Sequence, residues 1–471
     1  MSDQRPGAHQ LIASVVDEGS YVSWDEPIDL TALSPDYRAA VDAAAERAGT
    51  DESVLTGRAS IQGHDVALVV GEFRFLGGSI GAATADRIVA VVERAREERL
   101  PLVGLPASGG TRMQEGTPAF VRMADIARAV HAHSAAGLAY VAWLRHPTTG
   151  GVLASWASLA QVTWAEPDAL VGFLGPAVYE VLHGAPFPAG VQTSEHLAEV
   201  GVIDGVVPLE ELRDRIAATL RGLTPSGPAA PPAVPASAAG PSVPVDEAET
   251  WERVQRTRSG QRPGARDLLA AIASDVVPLS GTGAGERDAA LVLALASVGG
   301  IRCVVAAQDR DAPAPIGPGG LRTARRGMAL AQQLRLPLLT VVDTPGAELS
   351  ATAEQGALAG EIARCLADLT SLTVPTAAVL LGQGTGGGAL ALLPAATRIA
   401  AGDAWLSPLP PEGASAIVHK DAAHAAEMAH VQRVSAAAMH ADGSIDVVIP
   451  EGEGMLEEIG RHVARALAPS S

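Results

Sequence analysis

An offset of about 236 residues relates the two halves of the chain. Leu100-Pro101-Leu102 opens an apolar segment that runs into Ser108-Gly109-Gly110, and Leu336-Pro337-Leu338 opens one that runs into Thr344-Pro345-Gly346. Further on, Thr148-Thr149-Gly150-Gly151-Val152-Leu153-Ala154 has a counterpart in Thr385-Gly386-Gly387-Gly388-Ala389-Leu390-Ala391. From Gly109 to Gly150 is 41 residues, and from Pro345 to Gly387 is 42. Solenoid repeats have periods of roughly 20 to 50 residues, so a unit this long is a duplicated domain. Whatever the fold, it is built twice, with glycine-bearing turns after buried strands in each copy.

The pattern within each copy is α/β. A polar turn at Gly63-His64-Asp65 precedes an apolar strand over 66–70, then a Gly-rich loop over 73–81. A helix over 82–99 follows, with Ile88, Val91, Val92 and Ala95 at helical spacing. Strand and helix alternate to about Leu220, the rhythm of a βαβ sheet buried on both faces. Before this, residues 1–55 read as a helical arm, with Ser34-Pro35 as a start signal. The second copy has a helical lead-in over 251–273, strands over 289–295, 303–307 and 338–342, a helix over 321–335 and a closing helix over 452–467. Seven prolines stand between Gly222 and Val245 without hydrophobic periodicity, a linker composition. The domain boundaries follow: 1–221, a linker over 222–246, and 247–471.

Charge and cysteine content remove several function classes. A net charge of −19 argues against nucleic acid and anionic membrane surfaces. Lys420 is the only lysine, so an anionic ligand must be met by arginines or backbone amides. Cys303 and Cys365 are the only cysteines and both stand in apolar patterns, which excludes a disulfide framework or a Cys-rich zinc site. The first ten residues are polar and lack an apolar signal core, which reads as a cytoplasmic protein. The uncharged run over 369–397 is divided by Pro375 and the glycines at 384–388 into pieces too short to span a bilayer.

The glycine pairs are where chemistry is expected. After a strand, Ser108-Gly109-Gly110 leads toward a helix, and amides at such a turn face outward with a helix dipole behind them. Glycine also admits a substrate carbonyl without a Cβ in the way. This is the layout of an oxyanion hole. The bland alternative, glycines that only permit a tight turn, suits one such turn but less well four: Gly109-Gly110, Gly150-Gly151, Gly346 and Gly386-Gly387-Gly388. Other chemistry is less supported. Ser108 has no G-x-S-x-G context. His131 and His133 lie two apart on a helix and point in different directions, and His146 reads as a loop histidine. Glu115 and Glu361 suit capping or solvated faces. No paired metal ligands at useful spacing stand out.

Longer motifs surround these turns. Phe75-Leu76-Gly77-Gly78-Ser79-Ile80-Gly81, Ser108-Gly109-Gly110-Thr111-Arg112-Met113-Gln114-Glu115, Pro147-Thr148-Thr149-Gly150-Gly151, Ala165-Glu166-Pro167 and Gly172-Phe173-Leu174-Gly175-Pro176 resemble the β subunit of acetyl-CoA carboxylase carboxyltransferase. The second half resembles its α subunit, in Asp343-Thr344-Pro345-Gly346-Ala347, the 382–390 stretch, Ser407-Pro408 and Pro411-Glu412-Gly413-Ala414-Ser415-Ala416-Ile417. The chain thus resembles a fused β–α acyl-CoA carboxyltransferase of the crotonase superfamily. The resemblance implies two tandem crotonase-like domains of spiral ββα core, an acyl-CoA side in the first and a biotin side in the second.

The resemblance also implies roles. Gly109 and Gly110 match the pair whose amides hold the acyl-CoA thioester enolate, and Gly387 and Gly388 the pair holding the biotin ureido oxygen. Gly77, Gly78, Ser108, Thr149, Gly150 and Gly151 flank the first site; Pro345, Gly346 and Ala347 flank the second. In the family, carboxybiotin releases CO2, the biotin enolate takes the α-proton of the thioester, and the acyl enolate attacks CO2, with no obligatory side-chain base. Acetyl-CoA would give malonyl-CoA. Family sites lie between the first domain of one protomer and the second domain of another, which implies a homo-oligomer. The chain departs from the family in three places. The β subunit's four-cysteine zinc ribbon is missing. Residues 308–320 replace a Gly-His-Gln-Lys-Gly segment, and Glu348-Leu349-Ser350 replaces Tyr-Pro-Gly. There is no ATP-grasp module and no Met-Lys-Met biotinylation site. Biotin is therefore expected in trans, on a biotin carboxyl carrier protein with its biotin carboxylase, and no metal is expected. Two alternatives remain: a biotin-independent malonyl-thioester decarboxylase, and a non-catalytic scaffold subunit.

Overall fold

Each half of the sequence folds around its own sheet. The structure, a computed structural model, describes residues 5–31, 33–173, 179–181, 184–225 and 247–468. The chain divides into two units, Met1–Arg221 and Gly222–Ser471. The family-like residues Leu174, Gly175 and Pro176 and most of the proline-rich linker, 226–246, lie outside the described residues.

The first unit opens with helix α1 (Ala8–Val15), a two-residue strand β1 (Val22–Ser23) and helix α2 (Pro35–Ala48). The Ser34 side chain accepts from the Tyr37 N–H, Pro35 occupies the first turn, and Gly49 ends α2 at φ 71°. The arm is therefore not uniformly helical. Residues 22–23 pair antiparallel with Gly57 and Arg58 at the sheet edge, where exposed side chains give no alternation to read. The sheet continues through β2 (Val54–Ile61), β3 (His64–Gly71), β4 (Leu102–Leu105), β5 (Tyr140–Leu144), β7 (Val162–Ala165) and β9 (Gly205–Val206). The two pairings β1–β2 and β2–β3 are antiparallel, and all later pairings are parallel. Strands β6 (Thr148–Thr149) and β8 (Val171–Gly172) form a separate parallel pair. Helices α3 (Ala82–Glu97) and α4 (Thr117–Ala135) cover the sheet, and Ile88, Val91, Val92 and Ala95 of α3 enter the core as their spacing predicts. The unit continues through α5 (Ser194–Glu199) and α6 (Leu209–Leu223). Helix α6 carries regular structure past Gly222, where the sequence predicts the linker.

The second unit repeats the plan. After α7 (Glu247–Thr257) and α8 (Ala265–Ile272), antiparallel β10 (Ala273–Leu279), β11 (Leu291–Val298) and β12 (Ile301–Gln308) lead through α9 (Pro318–Leu334) to parallel β13 (Leu338–Thr344). Helices α10 (Ala351–Gln355) and α11 (Leu358–Ser371) precede parallel β14 (Thr376–Thr385). Short helix α12 (Gly386–Leu390), β15 (Thr397–Ala401), β16 (Trp405–Ser407), α13 (Pro411–Val418), α14 (Ala425–Val431), α15 (Ala436–Ala441), β17 (Val447–Ile449) and α16 (Met455–Leu467) complete it. Every residue of β4, β5 and β13 is buried, as a parallel sheet covered on both faces requires. The registers match between units: Leu102 pairs with Tyr140, and Leu338, 236 residues later, pairs with Thr376. Cys303 and Cys365 are buried free thiols, each pushed up to about 12 by burial. No described helix is long and apolar enough to cross a membrane.

One buried ion pair holds the first unit's central loop. The Arg112 guanidinium donates to both carboxylate oxygens of Glu52, one at 2.9 Å, and to the Ser79 carbonyl at 2.7 Å. Both side chains are about as inaccessible as any apolar residue in the core, at 2% and 3% exposure. Burial works against the guanidinium charge, but Glu52 outweighs it and the pKa is raised. Glu52→Ala would leave that buried charge with only Glu115, 3.4 Å away, as an acidic partner, and losing a buried partner costs about 3–5 kcal/mol. Urea denaturation of Glu52→Ala is expected to show a fall of that size in the first unit's transition. Asp65→Ala, which breaks a half-exposed pair with Arg58, is expected to change stability by less than about 1 kcal/mol.

Candidate active site

In the first unit, three turns meet at the end of β4. A three-residue 3₁₀ turn, Leu76–Gly78, carries Gly77 and Gly78 at φ 66° and 64°. A Cβ on Gly78 would lie 2.1 Å from the Ala107 carbonyl oxygen, so this turn presses directly on the chain leaving β4. The Gly109 N–H donates to the Gly77 carbonyl at 2.8 Å, and the Gly110 N–H donates to Ser108 Oγ at 3.0 Å. The Ser108 N–H donates to the Pro147 carbonyl, and the Thr149 N–H donates back to the Ser108 carbonyl. Ser108 and Thr149 are both buried, and these bonds draw the third turn, Gly150-Gly151, against the second. A Cβ on Gly150, at φ 62°, would lie 3.1 Å from Gly110 Cα, and one on Gly151 would lie 3.1 Å from Thr111 Oγ1.

This corrects the reading of the Gly109-Gly110 turn. Its amides are not unpaired, and no helix starts behind them. Helix α4 begins at Thr117, after Gly116. The intervening residues 111–116 are held along the start of α3: Thr111 bridges Ile80 in parallel, the Arg112 N–H donates to the Ile80 carbonyl, and Arg112 is buried against Glu52. Among the described residues, the amides of these turns that find no acceptor include those of Gly77, Thr111 and Gly151. Gly110 remains a latent donor, because its present acceptor is a hydroxyl and an anionic oxygen forms roughly twice as strong a bond.

The second unit reproduces the construction. The Gly346 N–H donates to Thr344 Oγ1 at 3.2 Å, as Gly110 does to Ser108. Ala347 bridges Ile316 in parallel, as Thr111 does Ile80, and the Glu348 N–H donates to the Ile316 carbonyl, as Arg112 does to Ile80. Gly386 has φ 63° and opens α12, matching Gly150 at φ 62°. The pairs 80/316, 108/344, 110/346 and 150/386 all differ by 236. The counterpart of Gly150 is therefore Gly386, one residue earlier than sequence spacing indicates. First-turn amides of α12 have no intrahelical acceptor. A Cβ on Gly388 would lie 3.0 Å from the Ala347 amide nitrogen, and one on Gly387 would lie 2.8 Å from Ile362 Cδ1. Gly388 thus packs against the Ala347 backbone, and Gly387 against the Ile362 side chain.

Two residues of this unit escaped sequence reasoning. Buried Gln308 donates through Nε2 to the Gly388 carbonyl at 2.7 Å and accepts the Asp343 N–H at 3.2 Å, tying α12 to the end of β13. Asp343 is fully buried and bonded to Arg262; burial raises its pKa and Arg262 opposes the rise. Gln308, Asp343 and Pro345 share the wall of a cavity of about 180 Å³. The signal for Asp343 was present, since an acid closing an otherwise apolar strand must be paired. Gln308 offered none.

The groups considered as acids or bases are occupied. Glu115 accepts from Tyr37 Oη at 2.5 Å and from the Ala82 N–H at 2.6 Å, a cap on α3. Glu361 is buried, which favours its neutral form, but hydrogen bonds from Arg325 and Arg322 prevail and its pKa is lowered. His146 Nδ1 accepts the Leu170 N–H at 3.1 Å. His131 is exposed, whereas His133 is buried with Nε2 2.9 Å from the Leu100 carbonyl, and burial pushes its pKa down.

The two left-handed glycines offer a direct test of the tight contact. Gly150→Ala and Gly386→Ala should each cost about 1–2 kcal/mol for the left-handed backbone. Gly150→Ala should cost about 1–3 kcal/mol more, because its methyl meets Gly110 Cα at 3.1 Å, whereas that of Gly386 has 3.4 Å to the Pro408 carbonyl oxygen. Urea titrations of the two variants measure the difference.

Known proteins are similar to this chain. The carboxyl transferase domain family matches residues 8–462. The chain is 52% identical over 445 residues to a probable biotin-dependent acyl-coenzyme A carboxylase beta3 subunit of Mycobacterium tuberculosis, covering 94% of this chain and 88% of the relative. It is 38% identical over 488 residues to the acetyl-coenzyme A carboxylase carboxyl transferase subunits beta/alpha of Parafrankia sp., covering 95% and 78%. Among solved structures, transcarboxylase 12S matches with a TM-score of 0.79 at 22% identity, over 98% of this chain and 89% of that one. A single-chain, multi-domain long-chain acyl-CoA carboxylase matches with a TM-score of 0.73 at 20% identity, over 98% and 46%. The structural likeness establishes two tandem crotonase-like α/β units, and the sequence match establishes that the chain belongs to the carboxyl transferase domain family.

Proposed function

We propose that the chain is the carboxyltransferase component of an acyl-CoA carboxylase, moving a carboxyl group from carboxybiotin to a short acyl-CoA such as acetyl-CoA and giving malonyl-CoA. The observation that carries this reading is the matched pair of amide-lined turns, one per unit. Each can hold an oxygen that gains negative charge during reaction, where a preorganised donor stabilises the transition state rather than the ground state. In the first unit the donors are Thr111 and Gly151, with Gly110 released from Ser108, and they take the thioester carbonyl oxygen. Gly109 supports that turn through Gly77. In the second unit Gly387 and Gly388, beside Ala347, take the ureido oxygen of biotin. Bound carboxybiotin supplies the carboxyl group, and the relatives' biotin-dependent character supports its arrival on a separate carrier protein with its biotin carboxylase. The absence of a free carboxylate or histidine at either turn, among the described residues, suits chemistry that asks no side chain for a base.

Surface composition supports a homo-oligomer. Met113, Phe120 and Phe173 are exposed near the first unit's turns, Leu349 and Leu390 near the second's, and Ile417 and Val418 are exposed at the end of α13. Apolar surface on that scale is ordinarily covered, here by a further copy of the chain. We place the enzyme in the cytoplasm, with its acyl-CoA and carrier partners.

The test is reconstitution. With biotin carboxylase, biotinylated carrier, ATP and labelled bicarbonate, acetyl-CoA is expected to take up label. Gly388→Val should lower the rate at least about 100-fold, the scale of losing one oxyanion donor. No label uptake with the unaltered chain would favour the scaffold role instead, and uptake unchanged in Gly388→Val would contradict the role given to that amide. Release of CO2 from malonyl-CoA without any biotin would favour the decarboxylase.

A further inference from the structure

In the second unit, the junction of α13 and α14 gathers metal-binding atoms. His419 ends α13, His424 precedes α14, and Glu427 lies in the first turn of α14. One donor atom from each lies within 4.8 Å of the others. The two imidazole rings stack, with centroids 4.3 Å apart and planes 16° from parallel. We propose that His419, His424 and Glu427 form a binding site for one divalent transition-metal ion of borderline softness, such as zinc(II), cobalt(II) or nickel(II).

The junction is built rather than loose. Ser415 Oγ donates to the Asp421 carbonyl at 2.7 Å and accepts the His424 N–H at 3.2 Å, and the His419 N–H donates to the Ser415 carbonyl at 2.7 Å. Lys420 takes φ 68° and turns its ammonium to the Ile417 carbonyl, 2.9 Å away, which keeps its charge bonded to backbone. Asp421 makes the independent contribution. Its Oδ1 lies 2.8 Å from His424 Nδ1, so Nδ1 carries the proton and, in the neutral ring, Nε2 is the nitrogen left for a metal ion. A carboxylate behind a ligating imidazole is the usual outer partner of a metal-bound histidine, fixing tautomer and ring orientation. Two imidazoles and one carboxylate select against calcium and magnesium, which take oxygen ligands, and in favour of zinc-like ions. Ligands of a tetrahedral ion at about 2.1 Å sit about 3.4 Å apart, so the three groups must close by roughly 1.4 Å. Rotation of the Glu427 side chain, with small shifts of the two rings, can supply this. One or more positions would remain for water.

The site is tested on the tag-free full-length chain, stripped with EDTA and dialysed, then titrated with zinc(II) by calorimetry and with cobalt(II) by visible absorption. One saturable site per chain is expected, with cobalt(II) bands of a mixed nitrogen and oxygen field. His419→Gln and His424→Gln should each weaken binding at least about tenfold, and Asp421→Ala about tenfold with stoichiometry retained. Circular dichroism checks that each variant is folded, and Glu427→Gln serves should either histidine variant fail. His430→Gln, on the last turn of α14, should leave the titration unchanged. Absence of a saturable site, or binding that survives both His419→Gln and His424→Gln, overturns the proposal. So does a loss in His430→Gln equal to theirs.

Discussion

Backbone pressed on backbone is the constraint from which the rest of each unit follows. In the first unit a Cβ on Gly150 would press on Gly110 Cα at 3.1 Å, and Gly78 lies against the Ala107 carbonyl. In the second, Gly388 meets the Ala347 amide in the same way. Such contact brings peptide groups from separate turns into one small volume without side chains, which is the condition for amides to converge on a ligand atom. The surrounding structure holds that contact in place. Ser108 and Thr344 latch the first turn of each pair through a hydroxyl. Arg112 and Glu52 anchor the loop that follows in the first unit, and Gln308 with Asp343 ties the glycine helix in the second.

The duplication is deeper than its sequence trace. Ser108 and Thr344, Thr111 and Ala347, Arg112 and Glu348 differ in type yet occupy the same bonds. The shared offset therefore belongs to the backbone, while the side chains have diverged. Arg112 reaches inward to a buried acid, whereas Glu348 stays beside the start of α9, where its carboxylate lies close to Gly317 and accepts from Ser350. The bonds that hold the turns are made by backbone groups and a hydroxyl, which is why the turns can survive such divergence.

Much of this was legible beforehand. Apolar strands, the α3 core stripe and the Ser34-Pro35 helix start follow from periodicity and capping, both local properties. The glycine turns were legible as positions but not as hydrogen bonds. Whether Gly109 and Gly110 keep their amides free depends on Gly77 and Ser108, and only the folded loop brings Gly77 to them. The one-residue error in pairing Gly150 with Gly387 arose because three consecutive glycines give no register, and only the backbone angles of Gly150 and Gly386 supply it. Gln308 and the His419–His424–Glu427 cluster were illegible for a related reason. Their partners are fixed by a strand end and by a helix junction, not by a spacing that a chemist would search for.

The central claim, that the first unit's turns hold the thioester and the second unit's hold biotin, is tested most directly by a crystal structure with a non-reactive acyl-CoA thioester bound. The thioester carbonyl oxygen is expected within about 3.2 Å of the Gly151 N–H, with the Ser108 hydroxyl turned away from Gly110. A carbonyl oxygen resting instead at Gly387 and Gly388, or on neither set of amides, would contradict it.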